Sequence, residues 1–489
     1  MFLGIDIGTT AVKAILIDDD QSVLSSASAE HPTDRPQPGW SEQDPNNWIA
    51  ACRAVLMTLR RDAPRAYAAV KAIGLSGQMH SGVLLGHDDR PLQPALLWND
   101  ERGTNECAEL AAALPAIGSV TGVQPMAGFT AAKLLWIRKH RPEVFHRIAH
   151  VLLPKDYVRL WLTGAIASDV SDAAGTQLFD QAARAWWPDA IAAVGLKEAA
   201  LPSLYESMDA AGTLRPALAD ELGLDARVIV AAGGADPGAG ALGVGCVAPG
   251  QGFVSLGTAA VFVVSAMRYA PKPETMLHNF AHSLPQRWYQ MAGMLNGASA
   301  LSWWLSILSA GDSDSVLAAV AAGYRQPAAE MFLPYLAGER TPHNNSRARG
   351  AFVGLSASTT RSDLVQAVLE GVAFSLRDAR NCLIAADSDC PAPGFIGGGA
   401  RSRLWGQIIA NVTGLRLSCY RGAELGPALG AARLAMMAAD RGSIEAICRV
   451  PDIADTIEPD PALAEAYAPR FAEYRSLYAD IEHGRHASA

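Results

Sequence analysis

The chain has 489 residues, of which half are hydrophobic and 18% are charged. Its 40 Lys and Arg residues face 49 Asp and Glu residues, so the net charge is -9, and no stretch is strongly basic. This balance argues against nucleic acid or an anionic membrane surface as the principal partner. The length predicts at least two domains, and a small-molecule role becomes the default expectation.

The seven cysteines are scattered and contain no C-x-x-C pair. They support neither a disulfide framework nor a zinc site, and they are typical of buried thiols in a reducing compartment. The sequence opens on a strand-like segment, and no run approaches the ~18 apolar residues that a membrane-spanning helix needs. We therefore expect a soluble, cytoplasmic protein that does not enter a membrane.

The first elements in chain order form a predicted antiparallel meander. Apolar strands are expected at Phe2–Ile7, Val12–Ile17 and Val23–Ala27, joined by turns that include Gly8, Thr9 and Thr10. An amphipathic helix should begin at Asp44 and Pro45, because Asp suits the N-cap and Pro suits the first helical position. A further apolar strand is expected within Val70–His80.

Near residue 250 the pattern restarts. The stretch Gly252–Ser265 again predicts a strand, a Gly-Thr turn and a strand, and Gly394–Ala410 predicts a strand, a glycine loop and a helix. A further helix is expected from about Leu425. The duplication predicts two α/β domains of similar plan, with residues 1–247 in the first and 248–489 in the second.

The two Gly-Thr turns are candidate phosphate sites. Backbone N–H groups and a hydroxyl at a hairpin tip suit phosphate oxygens. In the first turn Asp6 and Lys13 flank the tip, so a carboxylate for Mg²⁺ and a positive charge for phosphate are both at hand. A plain β-hairpin is the alternative interpretation.

Asp236 is the single acid in VAAGGADPGAGALGVG, residues 230–245. It follows a predicted strand and two glycines, just before the expected domain junction where ligand clefts tend to lie. It could cap a helix, since Pro237 suits the next position, or act in catalysis. The small residues around it favour catalysis, because a cap needs no access for a ligand.

Ten sequence blocks in order carry a resemblance to a known family. They are IDIGTTAVKAILID, WSEQDP, GQMH, LWND, GFTAAKLLW, LPKDY, SDVSDAAGT, SLGT, FLPYLAGERTPHNN and IGGGARS. The chain thereby resembles the FGGY sugar kinases over nearly its whole length. The resemblance implies two actin-like (ribonuclease H-like) domains with ATP and a sugar in the central cleft.

The resemblance also implies roles for individual residues. Asp236 matches the catalytic base and, with Asp6, a position near Mg²⁺. Met79 and His80 match sugar contacts, although without the resemblance a core histidine is the favoured interpretation of His80. The expected nucleotide-binding residues are Thr9, Thr10, Lys13, Gly257, Thr258, Gly398, Gly399 and Ala400. Glu339 and Arg340 are compatible with an ion pair that braces a turn.

The implied activity is ATP-dependent phosphorylation of a pentulose, with D-xylulose as the expected sugar and Mg²⁺ as the cofactor. Ribulose, another ketose, glycerol, or a non-catalytic actin-like sensor are the alternatives, and a homodimer is left open. Two departures from the family pattern bear on this expectation. Pro237 stands where an Asn is usual beside the base, and Ala259 and Ala260 replace a Ser-Gly pair after the second turn.

Overall fold

The computed structural model describes residues 1–309, 313–422, 426–440 and 442–487. The strands of the first half are β1 (Phe2–Ile7), β2 (Ala11–Ile17), β3 (Val23–Glu30), β4 (Glu42–Gln43), β5 (Ala72–Gly77), β6 (Val83–Leu85), β7 (Ala95–Leu96), β8 (His150–Leu152), β9 (Ala167–Asp169), β10 (Phe179–Asp180), β11 (Ala185–Trp186), β12 (Ser203–Tyr205), β13 (Ala210–Thr213), β14 (Ile229–Ala231) and β15 (Gly234–Ala235). Its helices are α1 (Pro45–Asp62), α2 (Pro64–Ala68), α3 (Thr104–Ala113), α4 (Ile117–Thr121), α5 (Thr130–His140), α6 (Pro142–Phe145), α7 (Pro154–Thr163), α8 (Val170–Ala173), α9 (Pro188–Val194), α10 (Pro216–Leu222) and α11 (Asp236–Gly243).

The second half has its own strands and helices. Its strands are β16 (Gly252–Leu256), β17 (Ala260–Ala266), β18 (His278–Ala281), β19 (Trp288–Met294), β20 (Met331–Leu333), β21 (Ala351–Val353), β22 (Gly394–Ile396), β23 (Leu417–Tyr420) and β24 (Ile453–Ile457). Its helices are α12 (Ala298–Ile307), α13 (Ser313–Gly323), α14 (Arg361–Ala385), α15 (Arg403–Thr413), α16 (Gly426–Ala438), α17 (Ile444–Ile447) and α18 (Pro461–Ala487). The helix expected from Leu425 is α16, and Leu425 itself lies outside the described residues.

The two halves contain sheets with the same strand order. The corresponding six strands run β3-β2-β1-β5-β14-β13 in the first sheet and β19-β17-β16-β22-β23-β24 in the second. Each sheet has a seventh strand: β15 also pairs with β5, and β18 lies beyond β19. In both, the first three strands are antiparallel, the next two join in parallel, and the edge strand is antiparallel. This repetition confirms the predicted pair of similar α/β domains, whereas the boundary between residues 247 and 248 stays a prediction.

Local sequence signals explain the first elements. The meander forms where it was predicted, and Asp44 caps α1 by accepting a hydrogen bond from the Asn46 amide at 2.9 Å. The buried face of α1 includes Trp48, Cys52 and Leu56, which recur at helical spacing. All six residues of β1 are buried, as expected for a strand in the middle of a sheet covered on both faces.

Helix α16 of the second half packs directly on the first half. A Cβ on Gly4 would lie 2.0 Å from the Ala428 carbonyl oxygen, and one on Gly430 would lie 1.8 Å from that of Ala239. A Cβ on Gly243 would likewise lie 1.9 Å from the Gly426 oxygen. Much of the small-residue stretch after Asp236 therefore makes room for α16 and not for a ligand, which corrects the expectation from sequence.

All seven cysteines are free thiols, four of them buried and three half-buried. None of the helices in the described part of the chain has the length and apolar character needed to cross a membrane.

Candidate functional site

Three parallel strand ends meet at one edge of the first sheet. Strand β5 lies between β1 and β15, and both neighbours pair with it in parallel. In the register of the sheet, Ser76 of β5 pairs with Asp6 on one side and with Gly234 on the other. Asp6, Met79 and Asp236 therefore converge at the carboxyl ends of these strands, where α/β sheets commonly bind ligands.

Asp236 is the first residue of α11, but its side chain does not cap that helix. The N-cap position is Ala235, which makes no side-chain capping bond. Instead, Oδ1 of Asp236 accepts a hydrogen bond from the Met79 backbone N–H at 3.3 Å. The capping alternative is wrong, because the carboxylate points across the sheet edge toward the end of β5.

The surroundings of Asp236 raise its pKa. Burial is the main cause, and the nearby negative charge of Asp6 adds to it, so that the pKa rises to about 7. The Met79 N–H opposes this shift because it stabilises the charged form. Asp236 is half-buried, and a carboxylate with a pKa near neutrality is suited to accepting a proton at physiological pH.

Asp6 is buried beside Asp236 and has an oxygen without a hydrogen-bond partner. Its side chain is 9% exposed, and Oδ1 accepts no hydrogen bond from the described residues. Burial raises the pKa of Asp6 to about 6, whereas Ser76 and the positive charge of Lys13 lower it. An unpaired carboxylate oxygen in this setting is a candidate ligand for a cation.

His80 is buried and neutral next to Met79. Its Nδ1 lies 2.6 Å from the Gly175 carbonyl oxygen, to which it donates. Burial and the charge of Arg340 hold the pKa of His80 well below its usual value. The proton therefore resides on Nδ1, and Nε2 is an acceptor, suitable for a hydroxyl group. A Cβ on Gly175 would lie 2.7 Å from the same Nδ1 atom, so a larger residue there would displace the imidazole.

The first Gly-Thr turn is connected to this site through Gln78. The Thr9 hydroxyl accepts from the Trp98 indole N–H at 2.9 Å and lies 3.4 Å from Oε1 of Gln78. The backbone carbonyl of Thr9 accepts a hydrogen bond from the Gln43 side-chain amide. Thr10 and Lys13 are exposed. The Thr9 hydroxyl is thus already engaged within the protein, while Thr10 and Lys13 remain accessible.

The second Gly-Thr turn lies beside the glycine loop. Ser255 pairs with Ile396 in parallel strands β16 and β22, so Gly257 and Gly397 follow adjacent strand ends. The carbonyls of Gly257 and Thr258 accept from the amides of Ala298 and Gly297, at 2.7 and 3.0 Å. These bonds attach the turn to the start of α12.

The glycine loop, residues 397–400, packs on the second turn from one side and is open on the other. A Cβ on Gly399 would lie 2.6 Å from the Leu256 side chain, whereas one on Gly398 would meet no protein atom within 4 Å. Gly398 is exposed, and Ala400 is half-buried in the short 3-10 helix Gly398–Arg401. Packing explains the glycine at 399, but the protein alone does not require one at 398.

Several residues at the site were not assigned a role from the sequence. Lys133 donates to the carbonyls of His80, Leu96 and Leu97, each at 2.9 Å. Arg340, from the second half, donates to the Trp98 carbonyl at 2.6 Å. These residues occur in the blocks GFTAAKLLW, GERTP and LWND, so the motifs contained the signal but not the contacts.

Glu339 and Arg340, which the sequence leaves compatible with a bracing ion pair, form no ion pair with each other in the described part of the chain. Glu339 accepts instead from the backbone amides of Leu295 and Arg340, at 2.7 and 2.8 Å. Burial raises the pKa of Glu339 to about 8. Arg340 crosses to the first half, so the GERTP segment connects the two halves beside the site.

Comparison with protein families identifies the class. Residues 1–243 match the N-terminal domain, and residues 252–439 the C-terminal domain, of the FGGY family of carbohydrate kinases. The chain belongs to this family, which confirms the predicted fold and makes it an ATP-dependent sugar kinase. A sugar and ATP are therefore its substrates.

Individual relatives are similar over almost the whole chain. A protein from Escherichia coli K12 named xylulose kinase is 42% identical, covering 98% of this chain and 99% of its own. A crystal structure named as a xyloylose kinase from Brucella ovis is 45% identical, with a TM-score of 0.92 and 99% coverage of both chains. A gluconate kinase structure from Lactobacillus acidophilus, 24% identical with a TM-score of 0.90 over 98% of this chain and 97% of its own, shares the fold.

Proposed function

We propose that this chain transfers the γ-phosphoryl group of ATP to the terminal hydroxyl of D-xylulose, giving D-xylulose 5-phosphate, with Asp236 as the general base. The observation that carries the proposal is the placement of Asp236. It is a carboxylate with a pKa near neutrality, held by the Met79 amide, and residue 80 is a neutral histidine. The relatives from Escherichia coli and Brucella ovis support the choice of sugar.

The chemistry needs a base because a sugar hydroxyl has a pKa far above neutrality. As the hydroxyl oxygen forms its bond to the γ-phosphorus, the hydroxyl proton passes to Asp236, and the bond to the ADP oxygen breaks. Phosphoryl transfer otherwise depends mainly on the alignment of the reacting groups and on stabilisation of the charge on the phosphoryl oxygens. In this proposal Met79 and His80 orient the ketose so that its terminal hydroxyl faces the carboxylate.

Mg²⁺ fits the acidic residues at this edge. Asp6 would hold it, with Asp236 as the second carboxylate, because the Asp6 Oδ1 atom is buried without a hydrogen-bond partner. The described residues contain no group of three or more His, Cys, Asp or Glu side chains able to hold a metal. Mg²⁺ is commonly held by only one or two carboxylates together with waters and phosphates, so the support for it is the pair Asp6 and Asp236. When bound, it would neutralise charge on the phosphate oxygens.

The nucleotide is assigned to the two turns and the glycine loop. Thr9, Thr10, Lys13, Gly257 and Thr258 would face the phosphates, and Gly398, Gly399 and Ala400 would lie beside adenosine. The open space beside Gly398 supports this assignment. Because the Thr9 hydroxyl is bonded to Trp98 and lies near Gln78, we assign its phosphate contact to its backbone N–H. The cytoplasmic location and the homodimer remain predictions from the sequence.

The test is a coupled ADP-release assay over D-xylulose, D-ribulose, L-ribulose, D-fructose, gluconate and glycerol. We expect D-xylulose to give the highest kcat/KM, with ADP release dependent on the sugar and matched by formation of the phosphorylated product. A higher kcat/KM for ribulose or glycerol would overturn the assignment of D-xylulose as the substrate. ADP release without product would point to an ATP-binding protein that does not transfer phosphate to sugar.

A further inference from the structure

The hydroxyl of Ser171, in the block SDVSDAAGT, bonds to the residue that precedes the proposed base. Its oxygen accepts from the Ala235 backbone N–H at 3.0 Å and lies 2.5 Å from Oδ2 of Asp169, to which it donates. Ser283 of the second half donates to the same oxygen at 3.0 Å. The Ser207 hydroxyl also lies 3.3 Å from this oxygen, but at 2.6 Å it is closer to Asp169, to which it can donate its one proton. A hydroxyl has one proton and two acceptor positions, so Ala235, Ser283 and Asp169 use the hydrogen-bonding capacity of Ser171.

Asp169 is itself fixed by several buried groups. Its Oδ1 atom lies 2.7 Å from the Lys155 ammonium, and both side chains are fully buried. Its Oδ2 atom also accepts from the Ser207 hydroxyl at 2.6 Å and from the Ser171 amide at 2.8 Å. Removing a partner from such a network leaves a buried polar group unpaired, which makes its geometry costly to change.

The backbone before Asp236 is a short glycine-rich segment, held by its pairing with β5, by the bond from the Gly233 amide to the Ser207 carbonyl and by the bond from Ala235 to Ser171. Strand β15 contains only Gly234 and Ala235, and Gly233 has a φ of +85°, which glycine adopts readily. A Cβ on Gly234 would lie 2.5 Å from the Ser283 hydroxyl oxygen, so a larger residue does not fit there. Glycine segments are flexible. The bond from the Ala235 amide to Ser171 therefore helps to fix the position of the Asp236 backbone.

We propose that Ser171 is a positioning residue for Asp236. Ser171 is bonded to Asp169, which is in turn paired with Lys155. By holding the Ala235 amide, it sets the distance from the Asp236 carboxylate to the sugar hydroxyl. The inference rests on the proposed function, in which Asp236 is the base. Small displacements of a reacting group are enough to reduce turnover by about a hundredfold.

Three single variants and one double variant test the inference. Ser171→Ala removes the hydroxyl, and Ser171→Cys keeps the volume with a much weaker acceptor. Ser168→Ala is the matched control, because the Ser168 hydroxyl is equally buried and donates to Asp156 at 2.7 Å in the same cluster without contacting the segment before Asp236. The double variant combines Ser171→Ala with Asp236→Asn.

We expect both Ser171 variants to lower kcat for D-xylulose by about tenfold or more, with KM for ATP within about twofold of wild type. Ser168→Ala should keep kcat near wild type even where its melting temperature falls equally. In the Asp236→Asn background, Ser171→Ala should lower kcat by less than about twofold, because the effects of residues that act as a unit are not additive. Should Ser171→Ala fail to fold, Ser171→Cys carries the same comparisons.

Equal kcat losses in the Ser171 and Ser168 variants, or an undiminished loss in the Asp236→Asn background, would overturn the inference. So would wild-type kcat in both Ser171 variants. The failure of the proposed function is distinguishable, since it shows as inactive wild-type protein or as an active Asp236→Asn variant, whatever Ser171 does.

Discussion

The backbone N–H of Met79 donates to Oδ1 of Asp236 over 3.3 Å, joining residues 157 positions apart in the chain. The contact arises because β5 and β15 run in parallel and end at the same edge of the first sheet. It holds the proposed base next to the proposed sugar contacts. It also limits the rise of the Asp236 pKa that burial and Asp6 cause.

Replacing the proposed base should separate catalysis from stability. We expect Asp236→Asn to lower kcat by about a hundredfold or more, because a positioned base contributes about 10²- to 10⁴-fold. Its melting temperature at pH 8 should equal or exceed that of wild type, since the variant removes a carboxylate whose charge is disfavoured by burial and by Asp6. Stopped assays and thermal unfolding measure the two effects.

ATP affinity provides the control for this variant, and it should stay close to wild type. A folded Asp236→Asn protein that retains more than about a tenth of kcat would remove Asp236 from the mechanism, because that residual rate leaves under ~1.4 kcal/mol for the base to supply.

Asp6 should govern the response to Mg²⁺. We expect Asp6→Ala to raise the Mg²⁺ concentration needed for half-maximal rate and to lower kcat, because its buried Oδ1 atom is a proposed metal ligand. Asp19→Ala, in the exposed turn after β2, is the matched control and should leave the titration unchanged. A wild-type Mg²⁺ titration in a folded Asp6→Ala protein would refute the assignment.

A substitution at residue 237 tests the role of Pro237, which stands beside the proposed base where the family usually has Asn. Pro237 is half-buried and follows Asp236 in the first turn of α11. We expect Pro237→Asn to lower KM for the preferred ketose without changing KM for ATP, since an amide there can donate to a sugar oxygen. Steady-state kinetics over the same sugar panel measure the effect, and an unchanged KM for every sugar would count against this role.

Glu370 should make stability depend on pH. It is buried on α14 and accepts from Tyr467, Gln366 and the Ala328 amide. Burial raises its pKa from 4.5 to about 7, so between these values the native state retains a proton that the unfolded state releases. The stability that the protonated group contributes is complete below pH 4.5 and is lost as pH rises through about 7.

The variant Glu370→Gln should therefore gain stability relative to wild type as pH rises from 5 to 8, by up to about 3 kcal/mol. Urea unfolding at both pH values measures the change, with exposed Glu465→Gln as the control. A difference between Glu370→Gln and wild type that is the same at pH 5 and pH 8 would contradict the prediction.

Local elements followed from the sequence because their signals are local. The apolar run Phe2–Ile7 and the capping pair Asp44 and Pro45 report backbone geometry within a few residues. The Gly-Thr turns and the duplicated plan were recognisable for the same reason. Family motifs then pointed to Asp6, Met79, His80 and Asp236, although a motif contains no distances.

Tertiary structure alone decided why Asp236 lies among small residues. The sequence favoured ligand access as the reason, whereas the structure shows that Gly243 and Ala239 lie against α16 from the other half of the chain. Likewise, the bond from Ser171 to Ala235 and the bond from Arg340 to Trp98 join segments 64 and 242 positions apart. Local patterns and spacing determined the elements, and the resemblance of the motifs to a family indicated the class of chemistry. Which side chains meet depended on sheet order and helix packing, because neighbours in the chain say nothing about contacts made across the fold.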